Sequence, residues 1–301
     1  MKDMRIACID IGGTNIKAGI LQNGELTAVC ETATQAHRGA DALLRTVTAI
    51  VREMPPVECA GISTAGEVDP QTGIIRLSDN IPGYTGMHVR EKLTQMLGMP
   101  VAVENDVNAA ALGEYVFGSA QGISNFLMVN YGTGIGGAVI LNGALYRGEN
   151  GSAGEFGGIL THGEDVVDND RGSGSYERYA STSALVAQAQ ALHPTLSSGR
   201  AIFEHISEPA VRCLVDHWLR EVSLGLVSLI HSCAPTAVVL GGGIFQQDGL
   251  VAEVDCRLRP LLKPSFRQCR LLKAGLGNHA GMMGAGFLAK KLFDSLYCKE
   301  K

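Results

Sequence analysis

Asp10-Ile-Gly-Gly-Thr14-Asn-Ile-Lys17 and Asn130-Tyr-Gly-Thr133-Gly-Ile-Gly-Gly137 decide how this chain folds. Each follows an apolar run that reads as a strand, Arg5–Ile9 and Phe126–Val129. Each precedes another apolar run, Ile16–Leu21 and Gly136–Leu141, closed by Asn23-Gly24 and Asn142-Gly143. Asn-Gly between apolar runs is a strong hairpin signal. The same strand, Gly-Thr turn, strand unit therefore occurs twice, once near the start of each half. Glycine lets backbone N–H groups approach an anion closely, and threonine adds a hydroxyl donor. Two such loops facing each other across a cleft would grip a polyphosphate from both sides, which is the logic of an ATP-dependent phosphotransferase with a duplicated fold.

Two other phosphate-binding patterns fail on context. Gly132, Gly134 and Gly137 fit G-x-G-x-x-G, but a dinucleotide site needs a helix directly after the glycines. Here Ala-Val-Ile-Leu-Asn-Gly follows, which is β-rich and ends in a turn. No G-x-x-x-x-G-K-[ST] occurs, which excludes a P-loop.

At 301 residues with 46% hydrophobic content, the chain can build two domains with sizeable cores. A net charge of −5 without a basic cluster argues against a nucleic-acid partner. The eight cysteines are scattered with no C-x-x-C, as expected of buried free thiols in a reducing cytosol. The N-terminus enters a strand at once, so no signal peptide is expected. The most apolar long window, Val222–Gly241, is broken by His231 and Pro235 and reads as a buried helix followed by a strand, so no membrane partner is expected.

The pattern of the first half predicts strands near 5–10, 15–21 and 25–33, a helix near 37–53 and a strand at 57–62. A loop region to Tyr84, a helix near 87–97, a strand at 100–104 and a helix at 106–117 follow. After the second hairpin come a glycine- and acid-rich loop, Gly148–Gly174, and helices near 176–192 and 207–232. A strand at Ala237–Leu240 runs into Gly241-Gly242-Gly243, followed by a helix near 248–262, a strand at 269–273 and a terminal helix at 279–293. This is an α/β chain with mixed sheets. The expected division is an N-terminal domain over 1–118, joined by a C-terminal helix at 279–295, and a second domain over 119–278.

Val101-Ala-Val-Glu104-Asn105-Asp106-Val-Asn108 places polar residues where a buried strand gives way to a helix. Asp106 there is either a helix N-cap or a general base that takes a proton from an attacking hydroxyl. The ends of strands in such sheets are also where ligands collect.

The segments D-x-G-G-T, E-N-D-x-N-A, G-T-G-x-G-G and A-G-E-x-G, in this order, resemble the ROK family of bacterial sugar kinases, which share the two-domain actin/hexokinase-like, ribonuclease H-like duplicated fold. The resemblance runs from Asp10 to Gly277–Gly281 and implies ATP and sugar bound in an interdomain cleft. It implies that Asp10 helps hold Mg²⁺ near the phosphates. Gly12, Gly13, Thr14 and Lys17 would form the first phosphate loop and Gly132, Thr133 and Gly134 the second. Gly241, Gly242 and Gly243 resemble the adenosine-side loop. The family's N-x-P-x-W segment matches Asn80-Ile-Pro82-Gly-Tyr84, with Tyr for Trp. The resemblance places Asn80, Asn105, Asp106 and Glu155 around the sugar hydroxyls, with Gly66 behind the ring, and Asp106 as the base for the 6-hydroxyl.

One stretch departs from the family. Many members follow G-E-x-G-H with a C-x-C-G-x-x-G-C zinc motif. Here Gly158 takes the His position and the cysteines are absent, so no structural zinc is expected. Glu177 is the counterpart of the family's sugar-binding glutamate. His162, alone in a polar loop, is expected to be solvated. The resemblance implies a cytoplasmic homodimeric kinase for a hexose or N-acetylhexosamine. Ile62–Asp69 and Ile81–Gly86 look most like zinc-free N-acetylmannosamine kinases, whereas Ala153–Gly157 also resembles β-glucoside kinases, which keeps glucose and β-glucosides open. A sugar-responsive repressor of the same family carries an N-terminal winged helix, which is not expected here because the first strand is read from Arg5.

Overall fold

The computed structural model describes residues 4–78, 80–170 and 172–297. The chain opens with β1 (Ile6–Ile11), β2 (Asn15–Gln22), β3 (Glu25–Ala33), α1 (Ala40–Glu53) and β4 (Cys59–Thr64). Then come β5 (Glu67–Val68), β6 (Ile75–Leu77), α2 (Val89–Leu97), β7 (Val101–Asn105) and α3 (Asp106–Phe117). The second hairpin supplies β8 (Phe126–Tyr131), β9 (Ile135–Leu141) and β10 (Ala144–Tyr146). It is followed by α4 (Tyr176–Ala180), α5 (Thr182–Leu192), α6 (Gly199–Glu204), α7 (Pro209–Cys233) and β11 (Ala237–Gly241). The last elements are α8 (Leu250–Leu258), β12 (Arg270–Lys273) and α9 (Ala280–Tyr297).

Two five-stranded sheets form, in the orders β3-β2-β1-β4-β7 and β10-β9-β8-β11-β12. Each pairs its first three strands antiparallel and its last two parallel, so the two hairpins grow into the same topology. β4 is buried at every position, as expected of a parallel strand covered on both faces. The chain divides into two compact units. The first holds the chain up to Gln121, Arg147–Ser152 and everything from His279 on. The second holds Gly122–Tyr146 and Ala153–Asn278.

In the first unit, α9 packs on α3 and β4 through backbone-to-backbone approach. A Cβ on Gly284 would lie 1.7 Å from the Ala109 carbonyl oxygen, one on Gly113 2.3 Å from that of Ala280, and one on Gly61 2.1 Å from that of Ala285. Only glycine permits such spacing. In the second unit, Tyr131, Tyr176, Trp218 and Phe245 form a buried aromatic cluster. Tyr131 and Tyr176 share a 2.6 Å hydrogen bond, and the Tyr176 hydroxyl donates to the Val222 carbonyl at 2.7 Å. That cluster anchors the residue directly before Gly132.

Several sequence expectations need correction. Of the cysteines expected to be buried, Cys30, Cys213, Cys233 and Cys256 are exposed, and only Cys8, Cys59 and Cys269 are buried among the described residues. The helix foreseen over 176–192 is two helices, α4 and α5, because Ser181 is extended (φ −67°, ψ 158°) and caps α5 through the Ala184 amide. The helix foreseen over 248–262 ends at Leu258, beyond which Pro260 lies in a short 3₁₀ turn. β5 and β6 fall in the region read as loop up to Tyr84, and β10 and α6 in stretches given no element, all too short to show a period.

Candidate active site

The parallel register of the first sheet sets Asp10 beside Ser63 and Ser63 beside Glu104. One step further, Ile11, Thr64 and Asn105 form the next row at the C-terminal ends of these strands. Ser63 Oγ donates to Asp10 Oδ1 at 2.6 Å. Lys17 faces Asp10 across the β1–β2 hairpin. Burial raises the Asp10 carboxyl above the ordinary value, against the pull of the Ser63 hydrogen bond and the Lys17 charge.

The first glycine loop is braced from beneath. Thr34 Oγ1 donates to the Gly12 carbonyl at 2.7 Å, and the Thr34 amide donates to the Thr14 carbonyl at 2.8 Å. Gly13 and Thr14 remain exposed, and a Cβ on Gly13 would meet nothing within 4 Å. The loop therefore offers an open backbone edge to an incoming anion.

Asn105, not Asp106, is the N-cap of α3, and Asp106 is the first helical residue. The helix begins at Asp106 as expected, but the cap alternative for Asp106 falls to its neighbour Asn105. Asn105 Oδ1 accepts from the amides of Val107 at 3.0 Å and Asn108 at 3.1 Å. Its Nδ2 donates to the Gly66 carbonyl at 3.1 Å and to Asp106 Oδ1 at 3.0 Å. The whole bonding capacity of this amide is used within the protein, so contact with a sugar requires exchange of one of these bonds. Gly66 adopts φ +109°, and a Cβ there would lie 2.7 Å from the Leu77 carbonyl oxygen.

Asp106 Oδ1 also accepts from the Val107 amide at 2.9 Å. Dense packing and then the Asp10 charge push the Asp106 carboxyl up to about 6, outweighing the hydrogen bonds that favour its ionised form. A carboxyl poised there is suited to proton transfer near neutral pH. Asp10, Gly66, Asn105 and Asp106 are thus brought to one sheet edge. Asn80 is exposed on the loop between β6 and α2, which Thr85 Oγ1 closes by bonds to the Ser78 amide and carbonyl at 3.0 and 3.1 Å. Tyr84 is fully buried, with its hydroxyl 3.0 Å from Thr64 Oγ1, so it anchors that loop from within.

Glu155 and Glu177 belong to the second unit. Glu155 is exposed, after Gly154, whose φ of +101° and close approach to the Gly137 carbonyl oxygen exclude a side chain. Glu177 Oε2 accepts from the Ile135 amide at 2.8 Å, and its carboxyl fills the space over Gly134 and Gly157. The predicted sugar ligand therefore also braces the second glycine loop.

Gly132, Thr133 and Gly243 line a cavity of about 780 Å³ within the second unit, whose other walls include Ser183, Gln190 and Arg200. Its size suits a nucleoside. Gly134, Gly241 and Gly242 lie outside its lining. Gly242 has φ +99°, and a Cβ on it would lie 2.0 Å from the Tyr131 carbonyl oxygen, so it lets the Gly-Gly-Gly turn press against the end of β8. Ser183, Gln190 and Arg200 went unseen in the sequence because α5 and α6 carry no phosphate-loop signature.

Residues 158–177 are held by hydrogen bonds and packing. The Thr161 and His162 amides both donate to the Gly174 carbonyl at 3.0 and 3.1 Å, and the Tyr176 amide donates to that of Ile159 at 2.7 Å. His162 is partly buried and packed rather than fully solvated: its ring stacks on Tyr179 at 3.9 Å, and Nε2 lies 3.4 Å from Glu221 Oε2. Apolar ring contact and an acidic neighbour outweigh hydration there.

The model for the ROK family matches residues 6–292. A ROK family glucokinase from Streptomyces griseus, solved in complex with glucose and AMPPNP, superposes with a TM-score of 0.83 at 31% identity, covering 95% of this chain and 99% of that one. A putative N-acetylmannosamine kinase from Listeria monocytogenes superposes with a TM-score of 0.87 at 29% identity, covering 96% and 100%. A β-glucoside kinase of Listeria innocua is 31% identical over 290 residues, 94% of this chain and 96% of its own length. Among the described residues no helix is long and apolar enough to cross a membrane.

Proposed function

From the premise that this chain belongs to the ROK family and is an ATP-dependent sugar kinase, we propose that it transfers the γ-phosphoryl group of ATP to the 6-hydroxyl of a hexose or N-acetylhexosamine. N-acetylmannosamine is our first candidate, supported by the likeness of Ile62–Asp69 and Ile81–Gly86 to kinases of that sugar. Glucose or a β-glucoside is the second, supported by the β-glucoside kinase relative and the glucokinase structure. The observation that carries the reading is Asp106, held by Asn105 at the start of α3 with its carboxyl raised to about 6.

In this reading Asp106 takes the proton of the 6-hydroxyl as its oxygen attacks the γ-phosphorus in line with the departing ADP. Gly66, Asn80, Asn105, Glu155 and Glu177 orient the sugar. The amides of Gly13 and Gly134, with the Thr14 and Thr133 hydroxyls and Lys17, receive phosphate charge, while the Gly12 and Gly132 amides shape the loops by donating to the Asn15 and Gly134 carbonyls at 3.0 and 2.9 Å. Gly241–Gly243 support the adenosine side. Positioning and charge neutralisation supply most of such catalysis.

Two carboxylates, Asp10 and Asp106, sit close enough for one charge to raise the other, which fits a cation beside them. Among the described residues no three His, Cys, Asp or Glu side chains are placed to hold a metal by themselves. Mg²⁺ takes one or two carboxylates from a protein and completes its shell with water and substrate phosphates, which the Asp10 and Asp106 pair fits. Asp10 is the residue that would hold it, and when bound it neutralises charge on the phosphates.

The test is ADP release from Mg-ATP with N-acetylmannosamine, N-acetylglucosamine, glucose, mannose, fructose, allose and cellobiose. Turnover on one sugar alone identifies the substrate; turnover on none sinks the proposal. Gly158 is exposed and a Cβ there meets nothing within 4 Å, so Gly158→His can be made without strain. If the open position selects a bulky substituent, that variant shifts preference toward glucose. An unchanged preference removes Gly158 from the specificity argument.

A further inference from the structure

Arg147–Ser152 is a short strap of the first unit, while the chain on either side of it belongs to the second. Arg147 Nε and Nη2 both donate to Glu104 Oε2, at 2.9 and 2.6 Å. Ser152 Oγ donates to Glu67 Oε2 at 3.2 Å. Between them, Gly151 (φ +82°) runs against β5, where a Cβ would lie 2.9 Å from the Val68 carbonyl oxygen.

Both carboxylates adjoin the acceptor site. Glu104 is the residue before Asn105 and is only 2% exposed. Its Oε1 accepts from the Asn105 amide at 3.1 Å and from Asn108 Nδ2 at 3.2 Å. Each of its oxygens thus carries two hydrogen bonds, one pair from the strap and one from the β7–α3 junction. Glu67 follows Gly66, whose carbonyl holds Asn105 Nδ2.

We propose that the strap positions the phosphoryl-acceptor site, with Arg147 as its principal positioning residue. This rests on the reading of Asp106 as the base. A carboxylate as buried as Glu104 is costly to leave unpartnered, and the planar guanidinium supplies charge and direction together. With Glu104 held from behind, the Asn105 backbone has one orientation, and Asp106 faces the hydroxyl from one direction. Lysine at 147 would restore the charge without the two-pronged geometry.

The test compares Arg147→Met, Arg147→Lys and the double variant Glu104→Gln/Arg147→Met with the wild-type protein. The readouts are kcat, KM for sugar, KM for ATP, and hydrogen exchange of the Asn105–Asn108 amides without ligand. Expected for R147M is a fall in kcat of about 10²-fold, the usual consequence of an ångström-scale misplacement. Its KM for ATP should stay near the wild-type value, because the strap's side-chain bonds run to Glu104 and Glu67 and not to the glycine loops, and exchange at the junction should be faster. R147K should fall between, and the double variant should recover part of the lost protection. A folded R147M with unchanged kcat and exchange overturns the proposal. So does a KM for ATP that rises as far as kcat falls, which marks general loosening. Should the wild-type protein turn over no sugar, the kinase reading fails by itself, and unchanged exchange in R147M still overturns the strap.

Discussion

Asn105 Nδ2 donates to Asp106 Oδ1 at 3.0 Å while Asn105 Oδ1 takes up the amides of Val107 and Asn108. One side chain thus starts the helix and orients its first residue. Asn105→Ala should cost about 1 kcal/mol as a lost cap and also lower kcat. Asn105→Asp keeps the acceptor, so it should be the more stable of the two, but its charge disfavours ionised Asp106. Urea unfolding beside a pH–rate profile separates the effects; equal kcat in both variants and wild type would free Asn105 from any part in turnover.

Asp106 sets the pH dependence. As a base it must be ionised, so kcat should rise with pH through about 6 and then level. Asp106→Asn should bind sugar, lose that limb and turn over about 10²–10⁴-fold more slowly. Full turnover in this variant would exclude Asp106 as the base.

Stability runs the other way. The folded value of Asp106 lies above the ordinary 3.8, so between 3.8 and about 6 the native state binds more protons than the unfolded state. Its contribution is fully present below that window and is lost as pH rises through it. Asp106→Asn should therefore be more stable than wild type at neutral pH, by on the order of 2 kcal/mol. Thermal unfolding at pH 4 and pH 7.5 checks this: the advantage should appear only at the higher pH.

Gly284→Ala pits helix propensity against packing. Alanine favours an isolated helix by about 1 kcal/mol, but here its Cβ would fall 1.7 Å from the Ala109 carbonyl oxygen. Backbone cannot swing aside as a side chain can, so the variant should lose at least about 2 kcal/mol. A urea midpoint equal to wild type would mean that α9 can slide along α3.

Tyr84→Phe removes one partner of the buried Thr64 hydrogen bond and should cost about 1–2 kcal/mol. Because Tyr84 is fully buried, the change should leave the KM for sugar close to wild type. A large KM increase without loss of stability would place the hydroxyl in sugar binding.

The hairpins were legible because glycine and threonine interrupt β-branched runs, and because Asn23-Gly24 and Asn142-Gly143 end them in turns that few other pairs form. Asp10 and Asp106 are named through the resemblance of D-x-G-G-T and E-N-D-x-N-A to the ROK family, since the residues alone leave Asp106 as either a cap or a base. The capping role left open for Asp106 belongs to Asn105, since Asn and Asp both cap well and adjacent residues of these types are not told apart by sequence. The cavity walls at Gln190 and Arg200 lay hidden in helices of ordinary composition. Arg147 was invisible for another reason: its partner Glu104 stands 43 residues away, and nothing local links them.

The glycine contacts of α9 also bear on how the protein is made. β4 and α3, complete by residue 117, press their small residues against a helix that begins at Ala280. Until the ribosome has delivered that helix, the first unit lacks the layer that covers β4, even though its sheet has been synthesised. Local contacts cannot close this half early, so its folding waits on distant sequence. The nascent chain carries an exposed apolar face through most of translation, the state in which chaperone capture or aggregation competes with folding.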